Sequence, residues 1–162
     1  MGAVAEKRGG LKVTVSDGRF SEEIDTGWQF EPVAIIGNVK SSGDVIRAVK
    51  KGLRVKSLDQ LQSELNISST LLRKTVKISP RTLLRRRAAG RLNSDESERV
   101  YRLGKLVHLA TKVLGSDELA SNWFKTPKKA LGGATPLEYA DTEIGKQEIE
   151  KLLYRTAYGV FS

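Results

Sequence analysis

From residue 42 onward the apolar positions recur at helical spacing. Val45, Ile46, Val49 and Leu53 form one stripe, and Leu58, Leu61 and Leu65 form the next, behind Ser57 and Gln60 read as a capping box. Leu71, Leu72 and Val76 mark a third, short helix. Ile78 fills the turn at Lys77–Ser79, and Leu83 is the core position of a fourth helix. That helix has Ser79 as N-cap, Pro80 at its first position and Gly90 as the closing glycine. Ser94 is predicted to cap a long helix with Asp95 and Glu96 in its first turn. The long helix carries two apolar stripes, Val100, Leu103, Val107, Ala110 and Leu114 on one side and Leu106, Leu109 and Val113 on another, so it is expected to be buried on two faces. Gly115 ends it and Ser116 opens the next, with Leu119, Ala120, Trp123 and Phe124, up to a turn at Thr126–Pro127. Thr135-Pro136-Leu137-Glu138 reads as a second capping box. Thr142 starts a last helix bearing Ile149, Leu152, Leu153 and Ala157. The first 31 residues are polar and glycine-rich. Leu11, Val13 and Val15 alternate there like a short strand, and Trp28, Phe30 and Val33–Ile36 offer docking points. The pattern predicts an all-α fold in three parts: a flexible N-terminal arm over 1–39, a helix-turn-helix domain over 40–92, and a second helical unit over 93–162.

Length allows this division, since 162 residues suit one domain or two small ones. The chain has no cysteine, which excludes disulfides and thiolate metal sites and fits a reducing cytoplasm. No apolar run approaches the roughly 20 residues of a membrane span, and no secretory signal is visible.

Charge sharpens the picture more. Residues 1–39 hold 4 basic and 6 acidic residues, residues 40–92 hold 14 and 3, and residues 93–162 hold 10 of each. The net charge of +9 therefore comes from the segment that contains the turn motif, as a nucleic-acid footprint would. Arg81 stands in the first turn of its helix, where a cation opposes the helix dipole by a few tenths to about 1 kcal/mol. In a helix-turn-helix the start of the second helix reaches base edges. Arg81, Thr82 and Arg85 are expected to face the major groove, with Ser79 at the helix start; Lys74, Lys77, Arg86, Arg87 and Arg91 suit phosphates. For Arg85–Arg87 a purely structural role near the helix end is the alternative.

Catalytic chemistry finds little support. His108 is the only histidine and shares a polar helical face with Tyr101, Lys105 and Lys112, so it reads as solvated. Gly132-Gly133-Ala134-Thr135 lacks the lysine of a P-loop and reads as a turn into a capped helix. Asp95, Glu96, Asp141 and Glu143 read as cap and dipole residues. No catalytic residue, metal site or cofactor is expected. Tyr154, Tyr158, Val160 and Phe161 crowd apolar bulk into the final nine residues, either to pack back on the domain or to dock on a partner.

From Ile78 to Ser162 the chain resembles the Xre/MbcA/ParS antitoxins that pair with RES-domain toxins. The resemblance rests on I-S-P-R-T-L-L-R-R-R-A-A-G-R-L at 78–92, S-D-E-S-E-R at 94–99, W-F-K-T-P at 123–127, A-L-G-G-A-T-P-L-E at 130–138, D-T-E-I-G at 141–145 and the closing Y-G-V-F-S. It extends more weakly back to residue 42. It implies a Cro-like helix-turn-helix that represses its own operon as a homodimer on an inverted repeat of operator DNA. It also implies a C-terminal unit that binds and closes a RES toxin, an NAD-consuming partner, without being an enzyme itself. The resemblance places the toxin-blocking surface on Leu152, Arg155, Tyr158, Gly159, Val160, Phe161 and Ser162. Where helix-turn-helix motifs often have alanine in the first helix and glycine at the turn, this chain has Arg73 and Lys77. A free-standing dimeric regulator without a toxin partner is the alternative reading.

Overall fold

The computed structural model describes residues 3–4, 14–16, 19–20, 36, 39 and 41–159. Three short strands, Ala3–Val4 (β1), Thr14–Ser16 (β2) and Arg19–Phe20 (β3), pair antiparallel in that order, with Val15 opposite both Ala3 and Phe20. The strand expected around Val15 is thus the centre of a small ladder. Leu11, Val13, Trp28, Phe30 and residues 33–35 lie outside the described residues. Ile36 is half-buried against the helical core.

Among the described residues eight α-helices follow: Ser42–Lys51 (α1), Lys56–Leu65 (α2), Ser69–Thr75 (α3), Pro80–Ala89 (α4), Ser94–Leu114 (α5), Asp117–Lys125 (α6), Pro136–Tyr139 (α7) and Glu143–Tyr158 (α8), with a 3-10 turn at Lys129–Leu131. The body is all-α, as its periodicity predicts. α5 is the central rod, packed by α1, α2, α6 and α8, while α6 also packs on α2. Its two apolar stripes explain this position, with Val100, Leu103, Leu106, Val107, Leu109 and Ala110 all buried. Each such leucine or valine contributes about 1.5–3 kcal/mol by leaving water. A single apolar cluster runs from Leu53 through Leu61, Leu72, Leu83 and Leu103 to Phe124, Ile149 and Leu153.

Two capping expectations need correction. Ser57 does not cap α2; Val55 holds the N-cap position with no side-chain bond, and Ser57 is buried one residue inside the helix. Packing decides here: the Leu53–Val55 segment is tied down by the Val55 N–H bond to the Gly90 carbonyl and the Leu92 N–H bond to the Leu53 carbonyl. The cap of α5 is Asn93 rather than Ser94. Only Asn93 has a glutamate three positions on, and Glu96 closes a reciprocal capping box with it. The caps at Ser79, Gly90, Ser116, Thr135 and Thr142 are as expected. The first stripe is less buried than its periodicity suggests. No residue of α1 is buried, and Ile46 is exposed.

Candidate functional site

The turn between α3 and α4 is built by backbone hydrogen bonds. The Ile78 N–H donates to the Arg73 carbonyl at 2.9 Å and the Lys77 N–H donates to the Lys74 carbonyl at 3.3 Å, the paired pattern of a Schellman closure. This closure requires a left-handed residue, and Lys77 supplies it at φ 53°. The site where many such motifs have glycine is therefore the same conformational site here, occupied by a lysine at some steric cost. Two contacts hold it. The Arg99 Nε on α5 donates to the Val76 carbonyl at 2.7 Å, and the Lys77 ammonium lies 3.1 Å from Asp141 before α8. Ile78 is buried beneath the turn, as its apolar character predicts.

Ser79 begins α4, its Oγ accepting from the Thr82 N–H at 3.1 Å and donating to the Thr82 hydroxyl at 2.9 Å. Leu83 is the one buried residue of this helix. The arginines then divide by what they touch. Arg86 is partly buried, and its Nε donates to the Glu96 carboxylate at 2.7 Å. Arg87 makes a two-pronged contact with Asp59 on α2, at 2.7 and 3.2 Å. Arg91 donates to the Gly52 carbonyl at 2.8 Å. Arg81, Arg85 and Lys74 are exposed and have no partner among the described residues. Burial pushes the Glu96 carboxyl up, but the Arg86 hydrogen bond, the Asn93 N–H and the charges of Arg86 and Arg99 more than offset it. The carboxyl is held below the usual glutamate range.

Of the nine residues expected at the nucleic-acid surface, Arg81, Arg85 and Lys74 thus present free cations. Ser79 and Thr82 form the cap, and Lys77, Arg86, Arg87 and Arg91 each hold a neighbouring element. Sequence reasoning gave Glu96 and Asp141 cap and dipole roles only and did not single out Asp59 or Arg99; all four fix α3 and α4 in place. It also missed Leu84, which is 72% exposed on the outer face of α4. The doublet Leu83-Leu84 carried that signal, because adjacent helical positions point about 100° apart and a helix packed on one narrow face leaves one of them outside.

At the other end of the chain, Leu152 and Tyr158 are half-buried and Arg155 is exposed. The Tyr158 hydroxyl is buried without a hydrogen-bond partner among the described residues. Gly159 closes α8 in the left-handed region, its N–H donating to the Arg155 and Thr156 carbonyls. Val160, Phe161 and Ser162 lie outside the described residues. Trp123 is half-buried, edge-on to Phe124 at 5.3 Å and covered by the Lys128 ammonium at 5.1 Å. His108 is half-buried. Gly132 and Gly133 both take positive φ in the turn that leads to the Thr135 cap. Among the described residues no cluster of histidine and carboxylates is arranged for a metal, and no helix is long and apolar enough to cross a membrane.

Two family models match the chain in order. The antitoxin Xre-like helix-turn-helix domain covers residues 44–105, and the antitoxin Xre/MbcA/ParS C-terminal toxin-binding domain covers residues 109–159. The "Antitoxin Xre" of Yersinia enterocolitica is 34% identical over 130 residues, spanning 78% of this chain and 88% of that protein. The "Prs ADP-ribosylating antitoxin" of a Sphingobium species is 26% identical over 129 residues, 74% of this chain and 81% of that protein. Among solved structures, a chain of the M. tuberculosis MbcT–MbcA toxin–antitoxin complex shares the fold. Its TM-score is 0.52 at 21% identity, over 67% of this chain and 96% of that one. The chain belongs to the Xre antitoxin family: it is the antitoxin of a toxin–antitoxin system, a helix-turn-helix domain followed by a toxin-binding domain.

Proposed function

We propose that this antitoxin does two things with its two ends. It neutralises a RES-domain, NAD-degrading toxin by laying the end of α8 and the residues after it over the toxin's active site. It also represses its own operon as a cytoplasmic homodimer on an inverted repeat of operator DNA. Inhibition is by occlusion and needs neither cofactor nor catalysis by this chain. The observation that carries the DNA-binding reading is the division of the α4 cations. Arg86 and Arg87, which hold the fold, are paired, and Arg81 in the first turn and Arg85 one turn on have no partner among the described residues, on the side of the helix where base edges are reached. One helix-turn-helix covers only a half-site, which favours a two-fold dimer with half-sites about one helical turn apart. Support for the toxin-facing role is the match of the toxin-binding domain up to residue 159, with Arg155 exposed and Leu152 and Tyr158 half-buried on the last turns of α8.

Co-expression with the RES-domain toxin tests the occlusion. Deleting residues 159–162 should release NAD consumption while operator binding through residues 40–92 persists. Full protection of growth and NAD level by the truncated chain would refute occlusion by the tail and move it to the surface around Trp123 and Lys128.

A further inference from the structure

Resting on the reading of α4 as the DNA-reading helix, we propose that Leu84 reads the C5-methyl group of a thymine in the operator, between bases read by Arg81 and Arg85. Leu84 is 72% exposed, among the most exposed large apolar side chains of the described body, and it contributes nothing to the core that Leu83 already serves. Helical spacing puts it on one outward ridge with Arg81, Arg85 and Ala88, at i, i+3, i+4 and i+7. Both arginines lack partners among the described residues.

That flanking charge selects the occupant. A protein surface that covered Leu84 would also have to desolvate two free guanidinium groups and supply two carboxylates. The major groove meets all three groups without that demand. Guanine offers O6 and N7 to an arginine fork, and thymine offers a methyl for apolar contact. α4 is also held rigidly enough to read at this resolution, because Arg86 ties it to Glu96 on α5 and Arg87 ties it to Asp59 on α2. The expected half-site therefore combines guanine with at least one thymine whose methyl, and not only its hydrogen-bonding edge, is recognised.

The test uses the full chain and a random duplex pool. Bound sequences are selected, and each thymine of the selected site is then replaced by deoxyuridine, which removes the methyl alone. At one thymine per half-site the wild type should lose about fourfold in affinity, the factor carried by burying one methyl. In Leu84→Ala that loss should shrink below about twofold, and in Leu84→Met it should persist. The thermal unfolding of both variants should match the wild type, since the side chain is exposed. Selection with no uracil effect at any thymine overturns the role of Leu84 and leaves DNA reading intact. An unselected pool overturns both. A Leu84→Ala chain that changes its sedimentation and keeps the uracil response assigns Leu84 to a protein contact instead.

Discussion

Replacing Glu96 by glutamine isolates the charge that locks α4 to α5. One carboxylate oxygen accepts from the Arg86 Nε at 2.7 Å and from the Asn93 N–H at 2.8 Å, on a side chain only 6% exposed. Glutamine keeps the length and one acceptor but removes the charge. Charge-assisted bonds are roughly twice as strong as neutral ones, and a neutral bond nets about 1 kcal/mol. The two bonds together should therefore lose about 1–2 kcal/mol in Glu96→Gln. Glu96→Ala also leaves the partly buried Arg86 unpaired and opens the capping box, for a loss of about 3–4 kcal/mol. Urea denaturation at neutral pH reads both. The pH arm has a definite sign. The folded carboxyl lies below its ordinary value of about 4.3, so its stabilisation is complete above that value and vanishes as pH falls through the folded pKa. Wild type and Glu96→Gln should therefore converge in acid. The double variant Arg86→Ala/Glu96→Ala should fall short of the summed single losses by about 1–2 kcal/mol. A glutamine variant with the wild-type midpoint at neutral pH refutes the reasoning, as does a gap that stays constant down to pH values well below the carboxylate range.

Other substitutions separate the remaining roles. Arg81→Ala should weaken operator binding by about 1–3 kcal/mol in a gel-shift titration while leaving thermal unfolding unchanged. Arg87→Ala should lower stability by up to about 1 kcal/mol through the loss of its half-exposed Asp59 pair, which calorimetry detects. Lys77→Gly should stabilise the fold by about 0.5–1 kcal/mol in urea, because relief of the left-handed lysine outweighs the partly exposed Asp141 pair. Gly145→Ala should lose about 1–3 kcal/mol, since the new Cβ would lie 1.8 Å from the Tyr139 carbonyl oxygen and force α8 away from α7.

Local signals were the legible ones. Ser79-Pro80, Gly90 and the Thr135–Glu138 box act within four residues of themselves, so the sequence shows them directly. The two-striped pattern of α5 likewise revealed its central place. Ser57 misled because the start of α2 is set by pairing with residues 90–92, which no local rule contains. The roles of the basic residues were hidden for the same reason. Arg87 and Asp59 are 28 positions apart, and Lys77 meets Asp141 across much of the second half of the chain. A count of arginines cannot distinguish one that holds a helix from one left free, because that depends on which carboxylate tertiary packing delivers. Leu71 and Ile46 fit their stripes by period and are exposed nonetheless, because period gives a face and not its cover.

The apolar cluster that runs without interruption from Leu53 to Leu153 has a consequence for how this chain changes over time. The two halves share α5 as a common wall, and Ser121 on α6 donates to the Leu65 carbonyl at 2.6 Å across the division. Neither half can be traded as a cassette. If α4 reads DNA as proposed, a new DNA specificity would arise by altering outward positions such as Arg81, Leu84 and Arg85. On the proposed placing of the toxin over the end of α8, a new toxin specificity would arise around Arg155 in the same way, since grafting a foreign half would need the matching inner faces of α2, α5 and α6 to arrive with it.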